Sequence, residues 1–298
     1  MKNSEEIIVS IRCCTYNQEP YIRQCLEGFV MQKTGFRFEA VVHDDASTDN
    51  TAAIIREYAD KYPDIIKPLF SKENLYSRRD GSLSRLMNEH MRGKYIAFCE
   101  GDDYWTDPFK LQKQVDFLES HPEYSACCTN SQRYFQDEWG LKNGVDRSGI
   151  IMTKDLMDRN KVVTLTSMMR ADLFLKYHRE ISPVMPHFKM GDLPLWLFLS
   201  LHGNIYRLQD YTGVYRILEK SASHHKDFIK QYDFMLEGAR IRLWFNRHYK
   251  LHYKPLILIK VLNRTRQMCR RDAKNGQESF WSLFTQAIKH LHKSGLKR

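Results

Sequence analysis

Through its first 130 residues the chain alternates short apolar runs with stretches whose apolar positions recur at helical spacing. Residues 7–14 predict a buried strand, after which Tyr21, Cys25, Leu26 and Phe29 mark one face of a helix. A second strand is predicted over 38–43. Ser47, Thr48 and Asp49 are N-cap candidates for a helix carrying Ile54, Ile55, Tyr58 and Tyr62, which stops at Pro63. A third strand over 65–70, a helix over 82–91 ended by Gly93, and a fourth strand over 95–99 follow. Asp107 and Pro108 read as N-cap and first helical residue of a helix aligning Leu111, Val115 and Leu118, and 124–129 is a fifth strand. Strict alternation with short connections implies a parallel, doubly wound α/β sheet whose ligands bind beyond the carboxyl ends of its strands. Those ends carry Cys13-Cys14-Thr15-Tyr16-Asn17, Asp44-Asp45 and Glu100-Gly101-Asp102-Asp103. Past residue 130 the pattern loosens into a loop over 140–149, a strand over 162–169, a helix over 193–202 and a strand over 213–217. Beyond His224 the chain reads helical and basic.

Charge sharpens this division. The net charge of +10 belongs to the tail, because residues 240–298 hold 15 Lys and Arg against 2 Asp and Glu. The longest apolar runs, 7–11 and 256–259, fall far short of a bilayer span, and Glu5 and Glu6 spoil the layout of a signal peptide. A cytoplasmic location is therefore expected. None of the seven cysteines shows a CxxC spacing, and Cys13, Cys99 and Cys127 sit in apolar runs where a thiol acts as a small hydrophobe.

The strongest chemical signal is Glu100-Gly101-Asp102-Asp103-Tyr104-Trp105-Thr106-Asp107-Pro108, directly after an apolar strand. Adjacent carboxylates at a strand's carboxyl end offer hard oxygens to Mg²⁺ or Mn²⁺, whose shell substrate phosphates and water complete. The plainer reading is a solvated acidic turn capping the next helix, the role assigned to Asp107. Asp44-Asp45 ends the second strand, where a carboxylate can accept from a nucleobase imide or a ribose hydroxyl.

Taken in order, Val9-Ser10-Ile11, Thr15-Tyr16-Asn17, the run Asp44 to Thr51, Gly93-Lys94-Tyr95-Ile96-Ala97 and Asp102-Asp103 resemble the family 2 glycosyltransferases of bacterial polysaccharide assembly, whose fold is called GT-A. The resemblance spans roughly residues 6–220. It implies a Rossmann-like, doubly wound mixed sheet forming a GT-A domain over 1–235. That domain has a nucleotide-sugar-binding half (1–130) and an acceptor half (131–235), and a basic helical extension follows over 236–298. It implies further that Cys14, Tyr16 and Asp45 contact the nucleotide of a UDP-sugar, and that Asp102 sits on the ribose or the metal. Asp103, expected in a surface setting, ligates Mn²⁺ or Mg²⁺ bridging the phosphates. Of Arg78 and Arg79, the second is favoured as the cation facing the diphosphate. Asp192, in Met190-Gly191-Asp192-Leu193-Pro194, becomes the base that deprotonates an acceptor hydroxyl, with an N-cap as the alternative.

The sequence departs from the family pattern in places. Ala46 stands where relatives carry Gly or another small residue, and Cys14 where Pro or Thr is usual. After Val214-Tyr215-Arg216 the family's His is replaced by Leu218, so His224 or His225 is left to reach the metal, His224 being favoured. The implied activity is inverting transfer from a UDP-sugar to a hydroxyl of a glycan or lipid-linked acceptor. Tail residues Trp244, Phe245, Ile257, Ile259, Phe280, Trp281, Phe284 and Ile288, interleaved with basic ones, are expected to dock 240–298 on an anionic membrane, peripheral on its inner face. The competing reading is a basic nucleic-acid-binding or scaffold protein with a non-catalytic nucleotide site, drawing on Trp244, Tyr249, Tyr253 and Trp281; in the leading reading no nucleic acid is expected. A nucleotidyltransferase would share the metal logic and produce pyrophosphate.

Overall fold

The computed structural model describes residues 6–135, 140–144, 148–185, 188–218, 227–274 and 279–293. Two compact units emerge. The first comprises residues 1–151, 162–187 and 199–216, the second 152–161, 188–198 and 217–298.

In the first unit, strands β1 (Ile7–Thr15), β2 (Arg37–Asp44), β3 (Ile66–Phe70) and β4 (Tyr95–Phe98) run parallel in the order β3-β2-β1-β4. One face of β1, through Val9, Ile11 and Cys13, is fully buried with Ile22, Cys25, Leu26 and Phe29 of α1 (Glu19–Val30). The same core takes in Ile55 and Tyr58 of α2 (Thr51–Lys61) and Leu111, Val115 and Leu118 of α5 (Lys110–Ser120). Two short helices, α3 (Leu75–Arg78) and α4 (Ser82–His90), link β3 to β4. The other sheet face is polar at its start. Ser10 donates to the buried carboxylate of Glu39 at 2.8 Å and accepts from Gly93 N at 2.8 Å, while Arg92 pairs with Glu39. A Cβ at Gly93 would lie 2.3 Å from Ser10 N, so only glycine lets the chain turn this tightly into β4.

The parallel pattern ends there. The two-residue strand β5 (Tyr104–Trp105) pairs antiparallel with β10 (Asn204–Ile217), and β9 (Met168–Arg170) lies antiparallel to both β4 and β6 (Tyr124–Phe135). The sheet is therefore mixed, with β9 entering from a 3-10 turn (Thr164–Thr166) to run antiparallel to its neighbours. That turn also breaks the single strand expected over 162–169. Within the expected loop over 140–149, Gly140–Asn143 form β7, which pairs antiparallel with β6, and Gly149 begins β8 (Gly149–Ile151), which pairs with β10. Helix α5 begins later than expected: Asp107 accepts from Phe109 N at 2.8 Å, and Phe109 holds the cap position. Helix α7 (Ala171–Lys176) and a π-turn (Tyr177–Ile181) close the unit, placing Phe174 edge-on to Phe98.

The second unit is helical, with α6 (Thr153–Asp158), the start of α8 (Asp192–Leu201), α9 (Phe228–His248), α10 (Lys254–Lys274) and α11 (Phe280–Lys293). Its core includes Tyr232, Leu236, Ile241 and Phe245 of α9 with Ile257, Val261 and Cys269 of α10. Arg242 is buried and donates to Leu156 O and Gly238 O; burial pulls its guanidinium down to about 10. Lys260 pairs with Asp158 at 2.7 Å, tying α10 to α6. Phe245 and Ile257, expected to face lipid, belong to this core instead. No helix among the described residues is long and apolar enough to cross a membrane.

Candidate active site

At the carboxyl ends of β1 and β2, two loops are laced together. Asn17, at φ 51°, joins the two: its N–H donates to Ser47 Oγ at 2.9 Å, and its Oδ1 accepts from Thr48 N at 2.8 Å. Gln18 N donates to Thr51 Oγ1 and Glu19 N to Asp49 Oδ2. Ser47, Thr48 and Asp49 thus bind the β1–α1 loop, and Asn50 holds the cap position of α2. Ala46 takes φ 63°, the left-handed region that glycine enters without strain.

Asp45 is buried, and its two carboxylate oxygens accept from Leu75 N at 2.6 Å and Tyr76 N at 3.0 Å. It therefore orders the segment that leads to the paired arginines. Asp44 accepts from Ser47 N through Oδ2, while its Oδ1 is buried without a partner among the described residues. Tyr16 beside them is 48% exposed, its ring open to solvent. Cys14 is partly exposed, and burial pushes its thiol up to about 11, so it is neutral and a weak donor. Of the two arginines, Arg78 pairs with Glu73. Arg79, exposed and at φ 53°, has no side-chain partner among the described residues.

Asp102 and Asp103 follow β4. Gly101 makes their turn possible, since a Cβ there would fall 2.3 Å from Gln18 Oε1 and 2.5 Å from Thr15 Cγ2. Asp103 is 2% exposed, not in the surface setting expected of it. The reason is β10, which covers it: Arg216 N donates to Asp103 Oδ1 at 2.8 Å. Arg216 is itself buried. Its guanidinium donates to Asp102 O and Gln24 Oε1 and lies over the rings of Tyr21 at 5.1 Å and Tyr104 at 4.5 Å. Burial, then the charges of Asp102 and Glu100, push the Asp103 carboxyl well above the usual range, against the opposing pull of Arg216. Burial likewise raises Asp102. Arg216 was named in the sequence only as part of a motif. The signal for its role was a cation set among Val214, Tyr215 and Ile217 at the end of a strand.

The donor set suits a hard divalent cation. Asp103 is a buried carboxylate that receives one hydrogen bond and is crowded by like charges, and a cation would relieve that crowding. No group of three or more His, Cys, Asp or Glu among the described residues is placed to hold a metal, so a bound ion would draw further ligands from substrate and water. His224 and His225 lie outside the described residues. Asp192, in the second unit, opens α8, and its Oδ2 accepts from Asn160 Nδ2 at 2.8 Å.

This arrangement has relatives. The sequence model of Glycosyl transferase family 2 matches residues 10–180, and the Bacillus subtilis protein EpsE is 30% identical over 254 residues, 84% of this chain and 86% of EpsE. The chain belongs to glycosyl transferase family 2. An uncharacterized Mycobacterium tuberculosis protein is 48% identical over 121 residues, which cover 40% of this chain and only 34% of that relative's length. Among solved structures, S. aureus TarS 1-349 in complex with UDP superposes with a TM-score of 0.59 at 17% identity, covering 95% of this chain and 81% of TarS. Mannosyltransferase PcManGT from Pyrobaculum calidifontis, in complex with GDP-Man and Mn²⁺, gives 0.57 at 16% identity, covering 96% and 81%. The fold is GT-A, a Rossmann-like mixed sheet with C-terminal helices.

Proposed function

We propose that the protein is a metal-dependent, inverting glycosyltransferase that moves a sugar from a UDP-sugar to a hydroxyl of a glycan or lipid-linked acceptor. The observation that carries this reading is Asp103, a buried carboxylate at a strand's carboxyl end with an elevated pKa and a single hydrogen bond. A carboxylate so placed costs stability unless a cation completes it. The UDP bound by TarS and the Mn²⁺ bound by PcManGT support the same choice of ligands.

In this reading Tyr16 lies against the nucleotide base, Cys14 contacts it as a weak thiol donor, and Asp45 contacts it through the carboxylate lone pairs that Leu75 and Tyr76 leave open. Asp102 would serve the ribose or the metal, and Asp103 and His224 would hold the ion. When bound, the ion supplies positive charge against the diphosphate. Arg79, whose guanidinium is unpaired among the described residues, adds a planar two-donor fork to the same anion. Asp192 accepts the proton of the acceptor hydroxyl. The freed oxygen lone pair forms the bond to the anomeric carbon from the face opposite the diphosphate, and the old carbon–oxygen bond breaks with its electron pair leaving on UDP. The steps balance: one proton on Asp192, one new glycosidic bond, one UDP released.

The test is UDP release from a panel of UDP-sugars with Mn²⁺, comparing the parent with Asp103→Asn. The parent should release UDP only with a divalent ion, and the variant should lose both turnover and metal-dependent UDP binding while melting cooperatively. Full activity in the variant or in chelator would overturn the metal assignment. Pyrophosphate release from a nucleoside triphosphate and a sugar phosphate would point to nucleotidyl transfer, and RNA binding without any UDP release to the scaffold reading.

A further inference from the structure

The second unit presents a surface that the transfer reaction does not use. Helix α10 buries Ile257, Val261, Thr265 and Cys269 against its neighbours α9 and α11. On the opposite side Leu258, Ile259 and Leu262 are 37%, 55% and 47% exposed. Their row continues at helical spacing into Arg266 and Arg270, both exposed. One stripe of the helix is thus aliphatic in its first half and cationic in its second. Several large apolar side chains elsewhere are also exposed, but these three adjoin on one helix and meet an arginine row.

We propose that this stripe of α10 docks the protein on an anionic membrane surface, with Leu258, Ile259 and Leu262 entering the interface and Arg266 and Arg270 meeting lipid phosphates. Charge selects the occupant. With 15 Lys and Arg against 2 Asp and Glu in residues 240–298, a second copy of the chain would bring like charge to like charge. Single-stranded nucleic acid would use the arginines but has no use for three aliphatic side chains, since its bases stack on aromatic rings. An anionic lipid surface uses both halves of the stripe. Of the residues the sequence nominated for this contact, Ile259 and Trp281 remain exposed, Phe245 and Ile257 do not, and Leu258 and Leu262 join them. The inference rests on the second unit's surface and is independent of the transferase reading.

Co-sedimentation of the full chain with vesicles of phosphatidylglycerol and phosphatidylcholine, against pure phosphatidylcholine, tests it. The parent should bind the anionic vesicles and release as salt rises past the screening range. Leu258→Ser/Ile259→Ser/Leu262→Ser should weaken binding roughly thirtyfold, the share expected for partly exposed aliphatic groups that become buried. Arg266→Gln/Arg270→Gln should weaken it about twentyfold at low salt and flatten the salt dependence. These side chains are exposed, so both variants should melt like the parent, and UDP release measured in the same preparations keeps this test apart from that of the transferase reading. Equal binding to both vesicle types, or parent-like binding by the aliphatic variant, would overturn the proposal. So would a fall in sedimenting mass of that variant with vesicle binding unchanged, which would make the stripe an interface between copies, or RNA binding by a parent that ignores vesicles.

Discussion

Arg216→Lys separates what the guanidinium contributes from what charge alone contributes. The native residue is 6% exposed, donates to Asp102 O and Gln24 Oε1 from different nitrogens, and lies over the rings of Tyr21 and Tyr104. A lysine ammonium is a point charge on a narrower stem and cannot span both acceptors while covering two rings. One hydrogen bond to a charged group is lost, about 1.5–3 kcal/mol, and a buried acceptor is left bare. The weakened ring contacts add about 1 kcal/mol. The sum, about 3 kcal/mol, corresponds to a fall in melting temperature of roughly 6–12 °C for a unit of this size. The hydrogen bond to Asp103 comes from the backbone of Arg216 and survives the substitution. Metal-dependent UDP affinity should therefore change much less than stability. Differential scanning fluorimetry with and without UDP and Mn²⁺ reads both quantities. A variant that melts within about 2 °C of the parent would refute the bracing role, since that shift is worth under ~1 kcal/mol. An unchanged melting temperature with UDP binding abolished would move the side chain from scaffold to ligand contact.

Four further outcomes are expected. Ala46→Gly relieves a residue held at φ 63° and should raise stability by about 0.5–1 kcal/mol, net of the glycine's extra freedom when unfolded, with turnover unchanged. Lys110 is fully buried over the Trp105 ring, and burial lowers its ammonium from 10.5 to about 8. The unfolded chain then holds this proton to higher pH than the folded one, so stability should rise between those values by up to about 3 kcal/mol, and urea titrations of Lys110→Met should lack that rise. Asp192→Asn should lose transfer about a hundredfold or more and keep donor affinity, whereas a collapse of donor affinity would make it a donor ligand or a cap. Arg79→Ala should weaken UDP binding about tenfold and Arg78→Ala barely, because Arg78 is held by Glu73; the opposite order by calorimetry would exchange their roles.

Much of the fold was legible because local rules decide it. Apolar periodicity located the first four strands and the helices α1, α2, α4 and α5, where side-chain pattern and burial coincide. It failed where pairing is non-local. The antiparallel β9 is three residues long and β5 two, too short for any period, and each exists because a distant strand offers it hydrogen bonds. The residues of β7 are exposed throughout and carry no apolar alternation, so a strand there was indistinguishable from a loop. In the tail, composition identified an amphipathic basic segment, but only packing tells which apolar residues face inward. Ile257 and Leu258 are neighbours of similar size, yet one is in the core and the other is 37% exposed.

The site divides along the same line. Residue types at strand ends selected Asp45, Asp102 and Asp103, since a short loop after a buried strand must place its side chains at the sheet's edge. Their environments were set elsewhere. Asp45 accepts from backbone groups 30 and 31 residues away, and Asp103 is buried by a strand 113 residues on. That covering changes the chemistry, because a solvated carboxylate pair would ionise near its ordinary value and bind a cation weakly. A carboxylate under β10 is raised by burial and by Asp102 and Glu100, and a divalent ion gains most where the bare charge is least comfortable. Arg216 joins the two levels in one residue. Its backbone orients Asp103, and its side chain fastens the Asp102 turn to Gln24 of α1, so the loop that supplies the carboxylates is clamped between the first helix and the last strand of the sheet.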